Sequence, residues 1–168
     1  MTVATKRLLV VHHSPTASLR TLTDAVVAGA HDDEIEGVDV VVREALSATA
    51  DDVLAADGYL LGTSANFGYM SGALKHFFDS TFLQVGGALD PSGSATESAG
   101  AASGRPLGLY VHGRYDTTGA VRSVLAITGA LGWKQAYDVV EVLGDPTEDQ
   151  RARCYDLGAT LAAVLVAT

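Results

Sequence analysis

The chain alternates short apolar runs with longer segments in which apolar residues recur every three or four positions. A continuous apolar run is typical of a strand buried on both faces, and the wider spacing is typical of an amphipathic helix. The predicted strands are residues 8–12, 38–42, 59–61, 107–112 and 137–143. The predicted helices are residues 18–31, 49–56, the segment after Met70, 118–131 and the segment from Glu148 onward. Five such units predict an α/β fold with a five-stranded parallel sheet between two helical layers.

Right-handed crossovers leave few ways to arrange five units, and we favour the strand order 2-1-3-4-5 over a half-Rossmann order. Thr49 and Asp52 form a capping-box pattern for the second helix, and Gly132 suits the end of the fourth. The inward positions of the last helix are Leu157, Leu161 and Leu165. Residues 86–104 are rich in Gly, Ser and Ala, which predicts a flexible loop within a single domain of residues 1–168.

Composition narrows the classes of partner. The 168 residues carry a formal net charge of −9 at pH 7, so the surface should repel nucleic acids and anionic membranes. A single cysteine, Cys154, excludes an intrachain disulfide and a multi-cysteine metal site, so we expect no metal and a reducing, cytoplasmic setting. The first apolar run, about five residues, is too short for a signal peptide, and no stretch reaches the roughly twenty needed to span a bilayer.

Four conspicuous side chains have ordinary structural explanations. Cys154 falls in the inward pattern of the last helix, which favours a buried, unreactive thiol over a redox one. Trp133 follows Gly132 and is expected to anchor packing rather than contact a ligand. His12 and His13 are adjacent on a strand, so their side chains point to opposite faces and cannot easily chelate one metal. At least one of these histidines is expected to be structural.

The segment after the first strand offers a high density of hydrogen-bond donors. Ser14, Thr16 and Ser18 supply three hydroxyls at the start of a helix, where backbone N–H groups and the helix dipole favour an anion. A helix cap needs only one hydroxyl, so the density favours a phosphate site, while simple capping stays open. The segment has no lysine and lacks the glycines of a dinucleotide fingerprint, so it is not a P-loop.

A second candidate segment follows the third strand. Residues 62–70 are expected to form a loop that combines hydrogen-bonding side chains with flat apolar rings, which suits a planar polar heterocycle. Its polar members are Thr63, Ser64 and Asn66, and its aromatic members are Phe67 and Tyr69. A third loop, residues 112–117, should meet the other two because the carboxyl ends of parallel strands share one edge of the sheet.

The sequences HHSPTAS and GTSANFGYMSGALKHFFD resemble the flavodoxin-like FMN-binding proteins. The second is most similar to the WrbA-type NAD(P)H:quinone oxidoreductases and related NADPH-dependent FMN reductases, and WrbA-type proteins carry G-T-P-T-R-F-G-N-M-x-G there. Gly62, Thr63, Phe67, Gly68, Met70 and Gly72 agree with that pattern, and Ser64, Ala65, Asn66 and Tyr69 differ. The first sequence keeps Ser14 and Thr16 of a flavodoxin S/T-x-T-G-N-T signature, with Ala17 and Ser18 in place of its glycine and asparagine. The resemblance implies a flavodoxin-like three-layer sandwich.

The resemblance also implies an FMN contact for each of the three loops. The implied phosphate contacts are Ser14, Pro15, Thr16, Ala17, Ser18 and Leu19. The implied contacts to one edge of the ring are Thr63, Ser64, Ala65, Asn66, Phe67 and Gly68. The implied contacts on the far side are His112, Gly113, Arg114, Tyr115 and Asp116. Among these, Tyr115 is best suited to stack on or gate the ring. Arg114 either meets a nucleotide phosphate or the charge of the reduced flavin, or is a solvated surface arginine.

Three functions are compatible with this resemblance. The first is an FMN-dependent oxidoreductase that passes hydride or electrons from NAD(P)H to a quinone or similar small acceptor, which the WrbA-like pattern favours. The second is a flavodoxin-type electron carrier, whose docking to basic redox proteins the net charge of −9 would suit. The third is a binding or assembly module that has lost FMN, supported by Ala17 and the changed residues 64–66. The family also implies a homo-oligomer, a dimer or a tetramer, with residues 85–89 as a candidate contact.

Overall fold

The computed structural model describes residues 5–86, 89–94 and 100–168. The strands are β1 (Lys6–His12), β2 (Val38–Glu44), β3 (Gly58–Asn66), β4 (Tyr69–Met70), β5 (Pro106–Gly113), β6 (Lys134–Gln135) and β7 (Val140–Leu143). The α-helices are α1 (Ala17–Ala30), α2 (Ala50–Ala55), α3 (Gly72–Val85), α4 (Thr118–Ala130) and α5 (Glu148–Val166). Strands and helices therefore alternate as the hydrophobic pattern predicts.

The main sheet has the strand order β2-β1-β3-β5-β6, and β7 pairs with the carboxyl half of β5. All of these pairs are parallel. Because β6 and β7 occupy the same position beside β5, the predicted order 2-1-3-4-5 is confirmed. The remaining strand, β4, lies outside this order and pairs antiparallel with the end of β3.

Alternating side chains of the central strands belong to two separate apolar clusters, one on each face of the sheet. Leu8, Leu60 and Tyr110 face α1 and α5, whereas Leu9, Leu61 and Leu109 face the side of α2, α3 and α4. The predicted inward residues of α5, Leu157, Leu161 and Leu165, are buried in the first cluster. The sheet is thus covered by helices on both faces, which leaves its carboxyl edge as the place where loops can form a site.

Side-chain caps start most of the helices. Thr49 and Asp52 form the predicted capping box of α2. A second capping box, Thr147 with Gln150, starts α5 close to the start signal at Glu148. In α3 the Ser71 hydroxyl accepts from the Leu74 N–H at 3.2 Å. Local sequence signals therefore set the helix ends to within a few residues.

Two strands differ from the predicted bounds. β3 continues to Asn66, well beyond the predicted end at residue 61, because it pairs with β5 as far as Ser64 and then turns back into β4. The predicted loop 62–70 is therefore a strand end followed by a hairpin. The predicted strand 137–143 corresponds to β7 alone, which starts only at Val140. The register against β5 shifts by two residues between β6 and β7, as in a β-bulge, and this irregularity interrupts the strand.

Cys154 and Trp133 have the structural roles predicted for them. Cys154 is completely buried, and burial raises the pKa of its thiol to about 12. Trp133 is 5% exposed and stacks on Tyr59 with ring centroids 3.9 Å apart. The predicted loop 86–104 and the candidate contact 85–89 fall partly outside the described residues, at 87–88 and 95–99. None of the described helices is long and apolar enough to cross a membrane.

Candidate functional site at the carboxyl edge of the sheet

The loops after β1, β3 and β5 lie side by side at one edge of the sheet. The His13 N–H donates to the Gly62 carbonyl at 3.1 Å, which holds the first loop against β3. A Cβ on Gly119, near the start of α4, would overlap the Gly68 carbonyl, so the β3–β4 hairpin rests directly on that helix. The structure therefore brings together the three segments singled out from the sequence.

The three hydroxyls of the first loop have different tasks. Thr16 is the N-cap of α1, and its hydroxyl accepts from the Leu19 N–H at 3.2 Å. Ser14 is committed to hydrogen bonds within the protein, described below. The Ser18 hydroxyl and the N–H groups of Ala17 and Ser18 have no protein partner within the described residues. These free donors lie at the positive end of α1 and are suited to an anion.

A chain of hydrogen bonds leads from this loop into the core. His12 Nδ1 lies 2.9 Å from Ser14 Oγ, Ser14 Oγ lies 2.8 Å from Thr23 Oγ1, and Thr23 Oγ1 lies 2.7 Å from the Tyr110 hydroxyl. The Tyr110 ring fills space that the missing side chain of Gly62 leaves, since a Cβ there would overlap the ring. Neither Thr23 nor Tyr110 was predicted from the sequence as part of the site. The signal available was the pairing of a glycine with a tyrosine on neighbouring strands.

Thr63 and Ser64, which the sequence placed on an open loop, are buried in β3. The Thr63 hydroxyl accepts from the Ser71 N–H at 3.0 Å and donates to the Ser64 carbonyl at 2.9 Å, so it fastens the strand to the start of α3. The buried Ser64 hydroxyl has no partner in the described structure. By the alternation of the strand, its side chain shares the face of Leu60, on which α1 also lies.

The β3–β4 hairpin presents an aromatic ring in an unfavourable backbone conformation. Phe67 and Gly68 have φ angles of 50° and 75°, as a two-residue type I′ turn requires. An aromatic residue rarely adopts a positive φ, and the strain costs on the order of 1 kcal/mol. Phe67 is nevertheless fully exposed, so within the described residues no packing of its ring offsets that strain. Such a strained and exposed aromatic side chain is suited to contact something other than its own core.

The third loop is shorter than the sequence predicted, because His112 and Gly113 belong to β5. His112 Nε2–H donates to the Gly144 carbonyl at 2.7 Å, which ties the ring to the loop after β7. Asp116 accepts from the Thr118 N–H at 3.0 Å, and this backbone hydrogen bond lowers the pKa of its carboxyl. Tyr115 is 86% exposed, and Arg114 is exposed and has no ion pair among the described residues.

Two small cavities flank His12. One, of about 200 Å³, lies between the first loop and the end of β2 and is lined by His12, His13, Ser14, Pro15, Glu44, Ala45 and Leu46. The other, of about 450 Å³, lies between α1 and β2 and includes Arg20 and Asp24 in its lining. Burial lowers the pKa of His12, while Glu44 acts in the opposite direction. In the described part of the chain, no group of three or more His, Cys, Asp or Glu side chains could hold a metal ion.

Comparisons with known proteins agree with this architecture. No family model matches the chain. A flavodoxin from Aquifex aeolicus (strain VF5) is 32% identical over 84 residues, which span 50% of this chain but only 44% of that relative, less than half its length.

Solved structures resemble the chain over nearly its whole length. A flavodoxin from the domain Archaea has a TM-score of 0.74 at 17% identity, over 95% of this chain and 99% of its own. A WrbA-like flavodoxin protein from Agrobacterium tumefaciens has a TM-score of 0.72 at 16% identity, over 97% and 99%. At such low identity these similarities establish the fold alone. The chain has a flavodoxin-like α/β fold, as the sequence predicted.

Proposed function

We propose that the chain binds FMN at the carboxyl edge of its sheet and acts as an oxidoreductase that passes electrons from NAD(P)H to a quinone or similar small acceptor. The observation that carries this proposal is the convergence at one edge of an anion-receptive helix start and two exposed aromatic rings. Phe67 extends from the hairpin and Tyr115 from the loop after β5. FMN, when bound, supplies the one- and two-electron chemistry that protein side chains lack.

The first loop would hold the phosphate. The N–H groups of Ala17 and Ser18 and the Ser18 hydroxyl have no partner in the described part of the chain, and the positive end of α1 adds to their attraction for an anion. Pro15 precedes these donors in the loop, whereas Leu19 is a buried residue of α1 whose N–H is already used by the Thr16 cap. The Thr16 hydroxyl accepts from the Leu19 N–H as the helix cap, and its own proton can still donate to the anion.

The hairpin would hold the ring. Since Thr63 and Ser64 are buried, the contacts open to the ring are the backbone and side chains of Ala65, Asn66, Phe67 and Gly68. The Ser64 hydroxyl, which has no partner among the described residues, supports a polar ligand on the α1 side of the strand end, because a buried hydroxyl without a partner costs about 1–3 kcal/mol.

The far side of the site would be closed by Gly113, Arg114, Tyr115 and Asp116. Tyr115 can stack on the ring, and the Arg114 guanidinium, which has no ion pair in the described structure, can meet a phosphate of the nucleotide donor. His112 supports this loop through its bond to Gly144 rather than by contact with the ligand.

The exposure of both rings favours a reductase. Hydride transfer requires a nicotinamide at about 3–3.5 Å from its acceptor, so one face must stay accessible. Phe67 and Tyr115 are largely exposed, which leaves them free to move aside for a second ring. The acceptor, a small quinone, would then use the same opening after the oxidised nucleotide leaves.

An electron carrier is the second candidate, and the net charge of −9 favours it. An acidic surface speeds encounters with basic redox partners. The similarity of half the chain to a flavodoxin is a second observation in its support.

Anaerobic mixing of the FMN-loaded protein with NADH or NADPH separates the two candidates. A reductase is reduced within seconds by at least one nucleotide and then reoxidised by a quinone such as menadione. A carrier stays oxidised with both nucleotides yet accepts electrons from dithionite. Ser18→Ala should weaken FMN binding and leave riboflavin binding unchanged, whereas Thr21→Ala, on the exposed side of α1, should change neither.

A further inference from the structure

The hydrogen bonds that join His12, Ser14, Thr23 and Tyr110 form one line with a buried end and an open end. Tyr110 is completely buried. His12 is half-buried and lines both cavities beside the first loop. The line therefore connects the proposed phosphate loop to a fixed point in the core.

The buried end sets the direction of the protons. Thr23 is the partner of the Tyr110 hydroxyl in the described structure, so Tyr110 must donate to it. In the opposite direction the Tyr110 proton would point into the core without an acceptor, at a cost of about 1–3 kcal/mol. With Tyr110 donating to Thr23, Thr23 donates to Ser14 and Ser14 donates to His12. His12 Nδ1 is then an acceptor, and the neutral ring carries its proton on Nε2.

This direction has a consequence for anion binding. The single proton of the Ser14 hydroxyl is used on His12, so Ser14 cannot donate to a phosphate. If Nδ1 carries a proton, His12 donates to Ser14 instead. The Ser14 oxygen then accepts from His12 and Thr23, and its own proton is free to turn toward the anion.

We propose that His12 takes up a proton from solvent on Nδ1 when a phosphate group binds at the first loop, which frees the Ser14 hydroxyl as a donor and places a positive charge beside the anion. This inference rests on the proposed phosphate site. No bond between heavy atoms changes, and the imidazolium balances part of the phosphate charge in a loop that has no lysine or arginine between His12 and Leu19.

The groups around His12 are compatible with both protonation states. Glu44 at the end of β2 and Asp24 on α1 favour the charged ring, whereas burial and the neighbouring His13 disfavour it. Arg20 on α1 also lines the adjacent cavity, but its guanidinium donates to the Pro15 carbonyl at 3.1 Å. In the anion-free protein burial is the largest of these influences, so the ring is neutral above its lowered pKa. A bound dianion adds an attraction that only the charged ring can use.

Linkage then gives the sign of the pH dependence. Binding of the phosphate raises the pKa of His12, so by reciprocity a lower pH strengthens binding. Between the free and bound pKa values the affinity should rise by up to about tenfold for each pH unit lost. The second ionisation of the FMN phosphate, near about pH 6, works in the opposite direction over part of this range, so the affinity of the parent protein is compared at each pH with that of His12→Asn, which retains only the phosphate ionisation.

The test is long-range ¹H–¹⁵N NMR of histidine-labelled, flavin-free protein from pH 5 to 9, with FMN or riboflavin added. His12→Asn identifies the resonances. Without ligand at pH 8, His12 should show a bare Nδ1 and a protonated Nε2. FMN should raise the pKa of His12 by about one unit or more, while riboflavin, which lacks the phosphate, should not change it.

Affinity measurements supply the matched control. The His12→Asn variant keeps a side-chain amide donor but cannot titrate, so between pH 7 and 9 its FMN affinity should follow the phosphate ionisation alone. His76→Asn, at an exposed position of α3 that lines neither cavity beside the first loop, should keep the pH dependence of the parent protein. A protonated Nδ1 in the ligand-free protein, or FMN binding with an unchanged His12 pKa, overturns the inference. If FMN fails to bind, the proposed function is lost, and inorganic phosphate becomes the probe: a rise in the His12 pKa keeps the inference, and no rise ends it.

Discussion

The pair Thr23 and Tyr110 offers a sharp test of the buried hydrogen-bond line. Replacing Thr23 by Val preserves the shape of the side chain but leaves the Tyr110 hydroxyl, which is fully buried, without a partner. The free energy of unfolding should fall by about 2 kcal/mol, within the range of about 1–3 for an orphaned buried group. Tyr110→Phe removes the inner hydroxyl while Thr23 keeps Ser14 as its partner, so the loss should be about 1 kcal/mol.

The double variant, Thr23→Val with Tyr110→Phe, tests whether the two hydroxyls depend on each other. With both hydroxyls gone no polar atom of this pair is orphaned, so the double variant should be about 1 kcal/mol more stable than Thr23→Val alone. Urea unfolding of the flavin-free protein, followed by far-ultraviolet circular dichroism, measures all four free energies of unfolding. If the two losses simply add, so that the double variant is the least stable of the set, the two hydroxyls do not depend on each other and our assignment of the proton directions fails.

Three further predictions concern other parts of the fold. Gly62→Ala should lower the free energy of unfolding in urea by about 3 kcal/mol or more, because its Cβ would overlap the Tyr110 ring. Gly72→Ala, with open space around it, should change that free energy by less than about 1 kcal/mol. Equal effects of the two substitutions would contradict the packing described. Phe67→Asn should raise the free energy of unfolding by up to about 1 kcal/mol, since Asn tolerates a positive φ, and should weaken FMN binding. A loss of stability would contradict the backbone strain assigned to Phe67. Cys154 should react with Ellman's reagent at pH 8 only after unfolding in urea, because burial raises its pKa to about 12; rapid reaction of the native protein would show an accessible thiol.

Much of the fold was predictable because the signals that specify it are local. Each buried strand of the central sheet is a short apolar run, and Thr49 with Asp52 marks the start of α2 within four residues of sequence. The end of β3 was not predictable in this way. Residues 62–66 are small or polar and look like a loop, but the first three pair with β5, more than forty residues later in the chain, and the last two pair with β4.

The candidate site, too, could be predicted from the sequence only in part. The exposed aromatic residues and the donors before α1 could be recognised from composition and position. The commitment of Ser14 to His12 and Thr23 could not, because it depends on Tyr110, 87 residues away from Thr23. Three hydroxyls in one loop therefore suggested three equal donors, whereas in the described structure the Ser14 proton is used on His12 and those of Thr16 and Ser18 stay available.

The central claim is that this edge of the sheet holds a flavin mononucleotide through uncharged donors of the first loop and the rings of Phe67 and Tyr115. Titration of the purified, flavin-free protein with FMN, followed by quenching of flavin fluorescence, tests it most directly. We predict saturation at one FMN per chain, with an affinity at least about tenfold higher than for riboflavin, a difference of about 1.4 kcal/mol from the phosphate. Absence of quenching, or equal affinities for the two flavins, would contradict the account.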